Sequence, residues 1–226
     1  KDVYQGEWGP LALDYYVLRQ NESKAKGFMS EQVKPMLACF EKYFGQYPFP
    51  KDGYALVETS YWGMEHQGAI AYGNNYRKNE WGFDYIIIHE TGHEWYGNNI
   101  SCPDHAELWI HESFTTYSEA LYMECRHGYE KAVDYLLAQK YNILNEDAIL
   151  GPKDVNFDQW KGSDMYYKGS WMLHTLRNIV NNDALWFQMI LKMNIEFRHK
   201  IVSTEQLITF INRELGKDYS SFFKQY

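Results

Sequence analysis

The sequence predicts an α+β fold, with a small sheet first and a mostly helical half after it. Short runs rich in Tyr, Val, Ile and Leu, bounded by Gly, Pro and Asn, fall before about residue 75. After about residue 83, apolar side chains recur at helical spacing. Hydrophobic residues are 45% and charged residues 23% of the 226, enough to bury a sizeable core and to exclude a disordered chain.

Each element follows from its own residues. Residues 11–18 (Leu-Ala-Leu-Asp-Tyr-Tyr-Val-Leu) read as a strand. Residues 30–44 read as a helix: Ser30 can cap it, and Val33, Met36, Leu37, Phe40 and Phe44 share one face. Gly45 ends it, and Tyr47-Pro48-Phe49-Pro50 is a rigid turn. Residues 54–59 and 69–72 read as two further strands, the latter closed by Gly73-Asn74-Asn75. A helix over 83–96 should stop at Gly97-Asn98-Asn99, residues that accept a left-handed cap. The next should start near Asp104, with Glu107 completing a capping box, and run to about Arg126 before Gly128. Residues 129–141, 164–180, 183–196 and 204–214 read as the remaining helices.

Charge and composition exclude several partners. With 22 basic against 30 acidic residues the net charge is −8, which repels nucleic acid and anionic membrane surfaces. The purely apolar runs, Tyr85 to Ile88 among them, are far too short for a membrane span. Cys39, Cys102 and Cys125 are odd in number and widely spaced, so they read as three ordinary thiols. Aromatics make up 18%, a load that suits a core, a lined cleft and a surface facing other domains. The chain opens Lys-Asp-Val, without an initiator Met, and reads as a piece of a longer or processed protein.

The chemistry lies in His89-Glu90-Thr91-Gly92-His93. Residues four apart stack on one helix face, so two imidazoles can reach one zinc ion. Glu90 lies about 100° round the helix, able to reach a water on that zinc without being a ligand. Eighteen residues separate His93 from Glu112, which sits in an apolar setting where a bare carboxylate needs a partner. Glu112 is the candidate third ligand. Glu119, seven residues on and on the same face, suits the orientation of a ligand histidine. His105, His127, His174 and His199 read as surface or core histidines.

His-Glu-x-x-His followed after eighteen residues by Glu resembles the aminopeptidase N family of gluzincin-type zinc aminopeptidases. Trp109-Ile110-His111-Glu112-Ser113-Phe114 is similar to the family's Trp-Leu-Asn-Glu-Gly-Phe. Trp62-Gly63-Met64-Glu65-His66 is similar to its Gly-x-Met-Glu-Asn, and Tyr166-Tyr167-Lys168-Gly169 to its Tyr-x-Lys-Gly. The resemblance runs from about Lys1 to about Asn194. It implies a thermolysin-like zinc peptidase catalytic domain over residues 1–226, binding one Zn2+. It implies a β-rich domain before Lys1 and a helical one after Tyr226.

The resemblance makes Glu90 the general base and Tyr166 the donor to the oxyanion, with Tyr167 in that place if the match slips by one. It makes Glu65 the partner of a peptide's free amino terminus. Gly63 and Met64 would pair with the peptide backbone, and His66 would touch the substrate. Trp62, His66, His111 and Ser113 depart from the family pattern, and bulky Trp62 is expected to narrow the pocket for the first side chain. The leading function is an aminopeptidase acting on peptides with a free amino terminus. A zinc endopeptidase or epoxide hydrolase of the same fold, or a catalytically dead binding module, are the alternatives.

Overall fold

The computed structural model describes residues 1–226 and opens on a five-stranded sheet. β1 (Asp2–Gly6) and β2 (Gly9–Tyr16) form a hairpin paired from Asp2↔Leu13 to Gly6↔Gly9. β3 (Tyr54–Glu58) lies parallel to β2, and β5 (Ile70–Tyr72) lies parallel to β3. β4 (Gly63–Met64) pairs antiparallel with β5 and forms the edge, giving the order β1-β2-β3-β5-β4. β1 and β4 lie outside the expected strands. Each is short and gains its stability from a neighbour, which local pattern does not report.

The parallel β2–β3 pair needs a crossover, supplied by a short helix α1 (Glu22–Ala25) and by α2 (Phe28–Phe44). α2 buries Met29, Val33, Met36, Leu37, Phe40 and Phe44. It begins two residues before the expected cap. Ser30 therefore lies inside the helix, where its hydroxyl donates to Asp2 Oδ2 at 2.7 Å and ties α2 to β1.

α3 (Tyr85–Gly92) starts where Asp84 accepts the amides of Ile86 and Ile87. It stops four residues short of the expected end. The amides of Asn98, Asn99 and Ile100 reach back five residues, to the carbonyls of His93, Glu94 and Trp95 at 2.9, 3.1 and 3.2 Å. That widened turn breaks the helical ladder. β6 (Ile100–Ser101) follows, pairing later with β7 (Lys200–Ile201).

α4 (Trp109–His127) is preceded by a separate 3-10 turn over His105–Glu107, capped by Asp104 Oδ1 on the Ala106 amide at 2.8 Å. The expected capping box does not form. Glu107 is buried and instead accepts the Thr204 amide at 2.7 Å, at the start of a helix far along the chain. α5 (Tyr129–Gln139), α6 (Asp164–Val180), α7 (Asp183–Glu196), α8 (Thr204–Leu215) and a final turn α9 (Ser220–Phe223) complete the chain. No helix is long and apolar enough to cross a membrane.

The aromatic load is largely core: Trp95, Trp109 and Trp186 are fully buried, and Phe40, Phe44 and Tyr47 surround Trp95. The cysteine expectation is overturned. Cys39 of α2 and Cys125 of α4 form a disulfide with their Cα atoms 5.9 Å apart, and only Cys102 is free. The two half-cystines are 86 residues apart, so spacing carried no sign of the packing of α2 on α4 that brings them together.

α3, α4 and α6 pack as one unit, and their contact frames the site. Gly169 of α6 meets Ser113 of α4 so closely that a Cβ there would lie 1.8 Å from Ser113 Oγ.

Candidate metal centre

α3 presents His89 and Glu90. His93, the first residue after the helix, keeps right-handed helical angles (φ −63°, ψ −20°), so both imidazoles still share a face. α4 runs alongside and brings in Glu112. Glu112 Oε2 lies 3.5 Å from His89 Nε2 and 3.4 Å from His93 Nε2, and all three residues are buried. Four-coordinate bonds of ~2.0–2.2 Å separate ligand atoms by about 3.3–3.6 Å in a tetrahedron. These donors therefore fit a zinc ion. Glu112 Oε2 has no hydrogen-bond donor, although it is buried.

The far side of each imidazole is fixed. His89 Nδ1 donates to Glu119 Oε1 at 2.7 Å, and Glu119 also accepts from Tyr135 and Gln139. His93 Nδ1 donates to the Tyr96 carbonyl at 2.9 Å, the carbonyl that the widened turn carries within reach. Both Nε2 lone pairs thus face Glu112, as metal ligands require. Burial opposes charge on Glu112, but the two imidazoles hold its carboxyl well below the usual carboxylate range. Burial likewise opposes charge on His89, yet Glu112 and Glu119 raise its pKa well above the usual value. The pocket favours positive charge at the point where the three donors meet.

These residues floor a cleft of about 840 Å³. Edge strand β4 forms one wall. A Cβ on Gly63 would lie 2.6 Å from Glu90 Oε1 and 2.8 Å from Ile86 Cγ2, so glycine lets the strand approach Glu90 this closely. Glu65, Glu90 and His93 bring ligand atoms within 4.8 Å of one another. The Glu65 carbonyl accepts from Asn98 Nδ2 at 2.9 Å, which pins this wall to the turn after α3. Burial raises the pKa of Glu90, opposed by His89 and His93. Tyr166 faces the same cleft, its ring 6.1 Å from that of His89 and stacked on it. Burial and then Glu112 raise its pKa, keeping the phenol protonated.

The structure therefore gathers His89, Glu90, His93, Glu112, Tyr166, Gly63, Met64 and Glu65 around one cleft, with Glu119 behind His89. It separates Tyr166 from Tyr167, which lines a neighbouring groove with Tyr85. His66 is exposed and absent from the cleft lining. Trp62 is also outside it, 62% exposed and packed on Tyr85, so it does not narrow the cleft. His111 lines the cleft, but its Nε2 accepts the Cys102 amide at 3.0 Å, and burial lowers its pKa to about 4. Ser113 donates to the Met165 carbonyl at 2.7 Å, next to Tyr166. Sequence reasoning missed the opposite wall, Ser101 to His105 with Asn156 and Asp158. Those residues carry no motif. It also missed Thr115 and Tyr135, which touch His93 and Glu119 only through packing of neighbouring helices.

A helix carrying His-Glu-x-x-His, a glutamate from the next helix and a glycine-bearing edge strand define a gluzincin-type metallohydrolase site. The chain belongs to peptidase family M1: residues 28–226 match the Peptidase family M1 domain. It is 32% identical over 231 residues to the mitochondrial aminopeptidase 2 of Saccharomyces cerevisiae, covering 93% of this chain and 24% of that protein. It is 26% identical over 168 residues to mouse (Mus musculus) endoplasmic reticulum aminopeptidase 1, covering 66% of this chain and 18% of that protein. A mutant M1 zinc metallopeptidase from Deinococcus radiodurans, bound to a Tyr-Ser-Ala substrate, superposes with a TM-score of 0.75 at 21% identity. That match covers 100% of this chain and 50% of the other. This chain thus spans about a quarter or less of those two relatives and half of that structure.

Proposed function

We propose that this chain carries the catalytic centre of a zinc aminopeptidase that removes the first residue of peptides with a free amino terminus. One observation carries the reading. The Nε2 atoms of His89 and His93 converge on the unpartnered Glu112 Oε2, with Glu65 and Glu90 beside them. The relatives named as aminopeptidases and the peptide-bound structure support the substrate class.

One zinc ion held by His89, His93 and Glu112 would supply a Lewis acid and a bound water with a pKa near ~7. Glu90 takes the proton of the attacking water and delivers it to the leaving amine. Its buried carboxyl, with a raised pKa and no hydrogen-bond donor, suits a base working near neutrality. Tyr166 donates its phenol hydrogen to the oxyanion, a contribution of ~3–4 kcal/mol to such barriers. Glu65 pairs with the substrate ammonium and fixes the register at the first peptide bond. The backbone of Gly63 and Met64 offers an open strand edge along which the peptide can lie.

Glu65 favours the exopeptidase over an endopeptidase, and the intact ligand set favours an enzyme over a dead module. The test is a panel of amino-acid anilides against their N-acetylated twins, with and without chelator, beside Glu90→Gln. Chelator-sensitive cleavage of the free amines alone, lost in Glu90→Gln, is expected. Equal cleavage of the blocked twins would refute the exopeptidase assignment.

A further inference from the structure

The cleft has a direction, set by how β4 lies along α3. At one end Glu65 sits with Glu90 and His93. In the middle Gly63 touches Glu90 and Ile86. At the other end the ring of Trp62 lies 5.5 Å from that of Tyr85. Residues 62 to 65 and 85 to 93 therefore run in the same sense. A peptide with its ammonium at Glu65 and its first carbonyl near the three ligands must continue past His89, whose ring stacks on Tyr85, towards Trp62.

That path leads into a second depression of about 450 Å³, walled by Trp62, Tyr85, Tyr141 and Tyr167. Two of its aromatics are strongly exposed: Tyr141 by 81% and Trp62 by 62%. Rings left in water gain nothing for the fold, whereas they offer a binding surface. Arg77 lines the far side and makes no ion pair and no side-chain hydrogen bond. Its neighbour Lys78 is paired with Glu31, and Glu80 is the one carboxylate in the lining. The Arg77 loop is held against Trp62: Trp62 Nε1 donates to Asn74 Oδ1, and Asn74 Nδ2 donates to the Arg77 carbonyl, each at 3.2 Å.

We infer that this groove holds the leaving side of the substrate, with Trp62, Tyr85 and Tyr167 receiving an aromatic second residue and Arg77 receiving a carboxylate beyond it. This rests on the aminopeptidase reading, because that reading sets which end of the peptide lies at Glu65. The preferred substrates are short peptides with an aromatic residue after the cleaved bond and an anionic group past it.

The wild type, Arg77→Ala and Trp62→Ala are compared on Leu-Phe-Phe, its C-terminal amide, Leu-Ala-Phe, and the pair Leu-Phe-Glu-amide and Leu-Phe-Gln-amide. Both positions are exposed, so the variants keep the fold. The acid of one pair is expected to exceed its neutral twin in kcat/KM by about threefold to fivefold, as for an exposed ion pair. Separation of the first pair identifies the terminal carboxylate, and of the second an acidic side chain. Arg77→Ala should erase the difference. Trp62→Ala should erase a preference of about tenfold for Phe over Ala at the second residue. Neither pair separating in the wild type, or either preference surviving its variant, overturns the inference.

A binding arm separates the two readings. N-acetyl-Phe-Phe and its amide cannot engage Glu65 through an ammonium, and their affinities are read by calorimetry. Tighter binding of the acid to wild type than to Arg77→Ala supports the groove even if no peptide is cleaved, an outcome that would count against the aminopeptidase alone. Equal binding, or none, overturns the groove.

Discussion

Replacing Gly169 with alanine should cripple the proposed activity without touching any atom proposed to react. The added methyl would lie 1.8 Å from Ser113 Oγ, 2.6 Å from its Cβ and 3.4 Å from its Cα. Rotating the hydroxyl away clears the first contact but not the second. To open 2.6 Å to the ~3.5 Å of an ordinary carbon contact, α6 must retreat from α4 by close to ~1 Å. Tyr166 is one turn back on α6, so it retreats with the helix. A misplacement of that size costs ~10²-fold in rate, and the overpacking costs ~1–3 kcal/mol of stability. The assay is kcat on a leucine anilide, with zinc per chain and thermal unfolding measured beside it. Gly169→Ala should lose about a hundredfold in kcat and keep its zinc. Adding Ser113→Gly removes both the Oγ and the Cβ and leaves only the tolerable 3.4 Å contact. The double variant should therefore recover most of the lost activity, despite the ~1 kcal/mol that glycine costs inside a helix. Full activity in Gly169→Ala, or a double variant as inactive as the single one, would refute this reasoning.

Glu119→Gln removes the charge that orients His89 and should weaken zinc binding ~10–100-fold, read by competition with a chromogenic chelator. Unchanged affinity would show that Glu119 does not tune the ligand. Removing the Cys39–Cys125 disulfide, by reductant or Cys39→Ala/Cys125→Ala, should cost about 4–5 kcal/mol for a closed loop of 86 residues. Unfolding temperatures that are equal with and without reductant would contradict it. The Asp2 carboxylate is bonded by Lys34 and Ser30, which hold its pKa at about 2. An unfolded Asp titrates near ~3.9, so this stabilisation is present above about pH 4 and lost as pH falls towards 2. Lys34→Met should flatten the fall in urea midpoint across that window, and an unaltered slope would rule Asp2 out as its source.

Much of the site was legible because its signals are local. Four-residue spacing put His89 and His93 on one face, and seven-residue spacing put Glu112 and Glu119 on another. These are properties of single helices. α6 and α7 matched their expected bounds because local residues mark them: left-handed Asn181 closes α6, and Asn182 opens α7 by accepting the Leu185 amide. What was not legible depends on contacts between elements. Glu107 was read as a capping partner for its own helix, but the Thr204 amide, far along the chain, claimed it. The helix of His93 was read as continuing to Tyr96, but the five-residue bonds of Asn98 to Ile100 unwound it. The disulfide and β4 needed the packing of α2 on α4 and of β5 against its edge. Trp62 is expected to narrow the cleft, but its ring packs on Tyr85 outside the lining, a placement that depends on how β4 lies along α3.

Three glutamates line this cleft and a fourth, Glu119, stands behind His89, and their surroundings separate their chemistry. Glu119 is fully buried and accepts from His89, Tyr135 and Gln139, so its lone pairs are engaged and it can only orient. Glu112 lies between two imidazoles that keep it ionised, with one oxygen left without a donor, which suits a metal ligand. Glu90 has no donor on its carboxylate and a pKa raised by burial, which suits it to take and return a proton. Glu65 is only half-buried, at the end of an edge strand, where a cation arriving from solvent can reach it. A cation close to Glu65 also relieves its repulsion with Glu90, so a substrate ammonium bound there would lower the Glu90 pKa as it docks. A peptide lacking that ammonium forgoes this adjustment as well as the ion pair. Blocked peptides should therefore lose kcat along with affinity, whereas Glu65→Gln, which removes that repulsion permanently, should lose affinity for free-amine substrates while shifting the acidic limb of the pH profile downward.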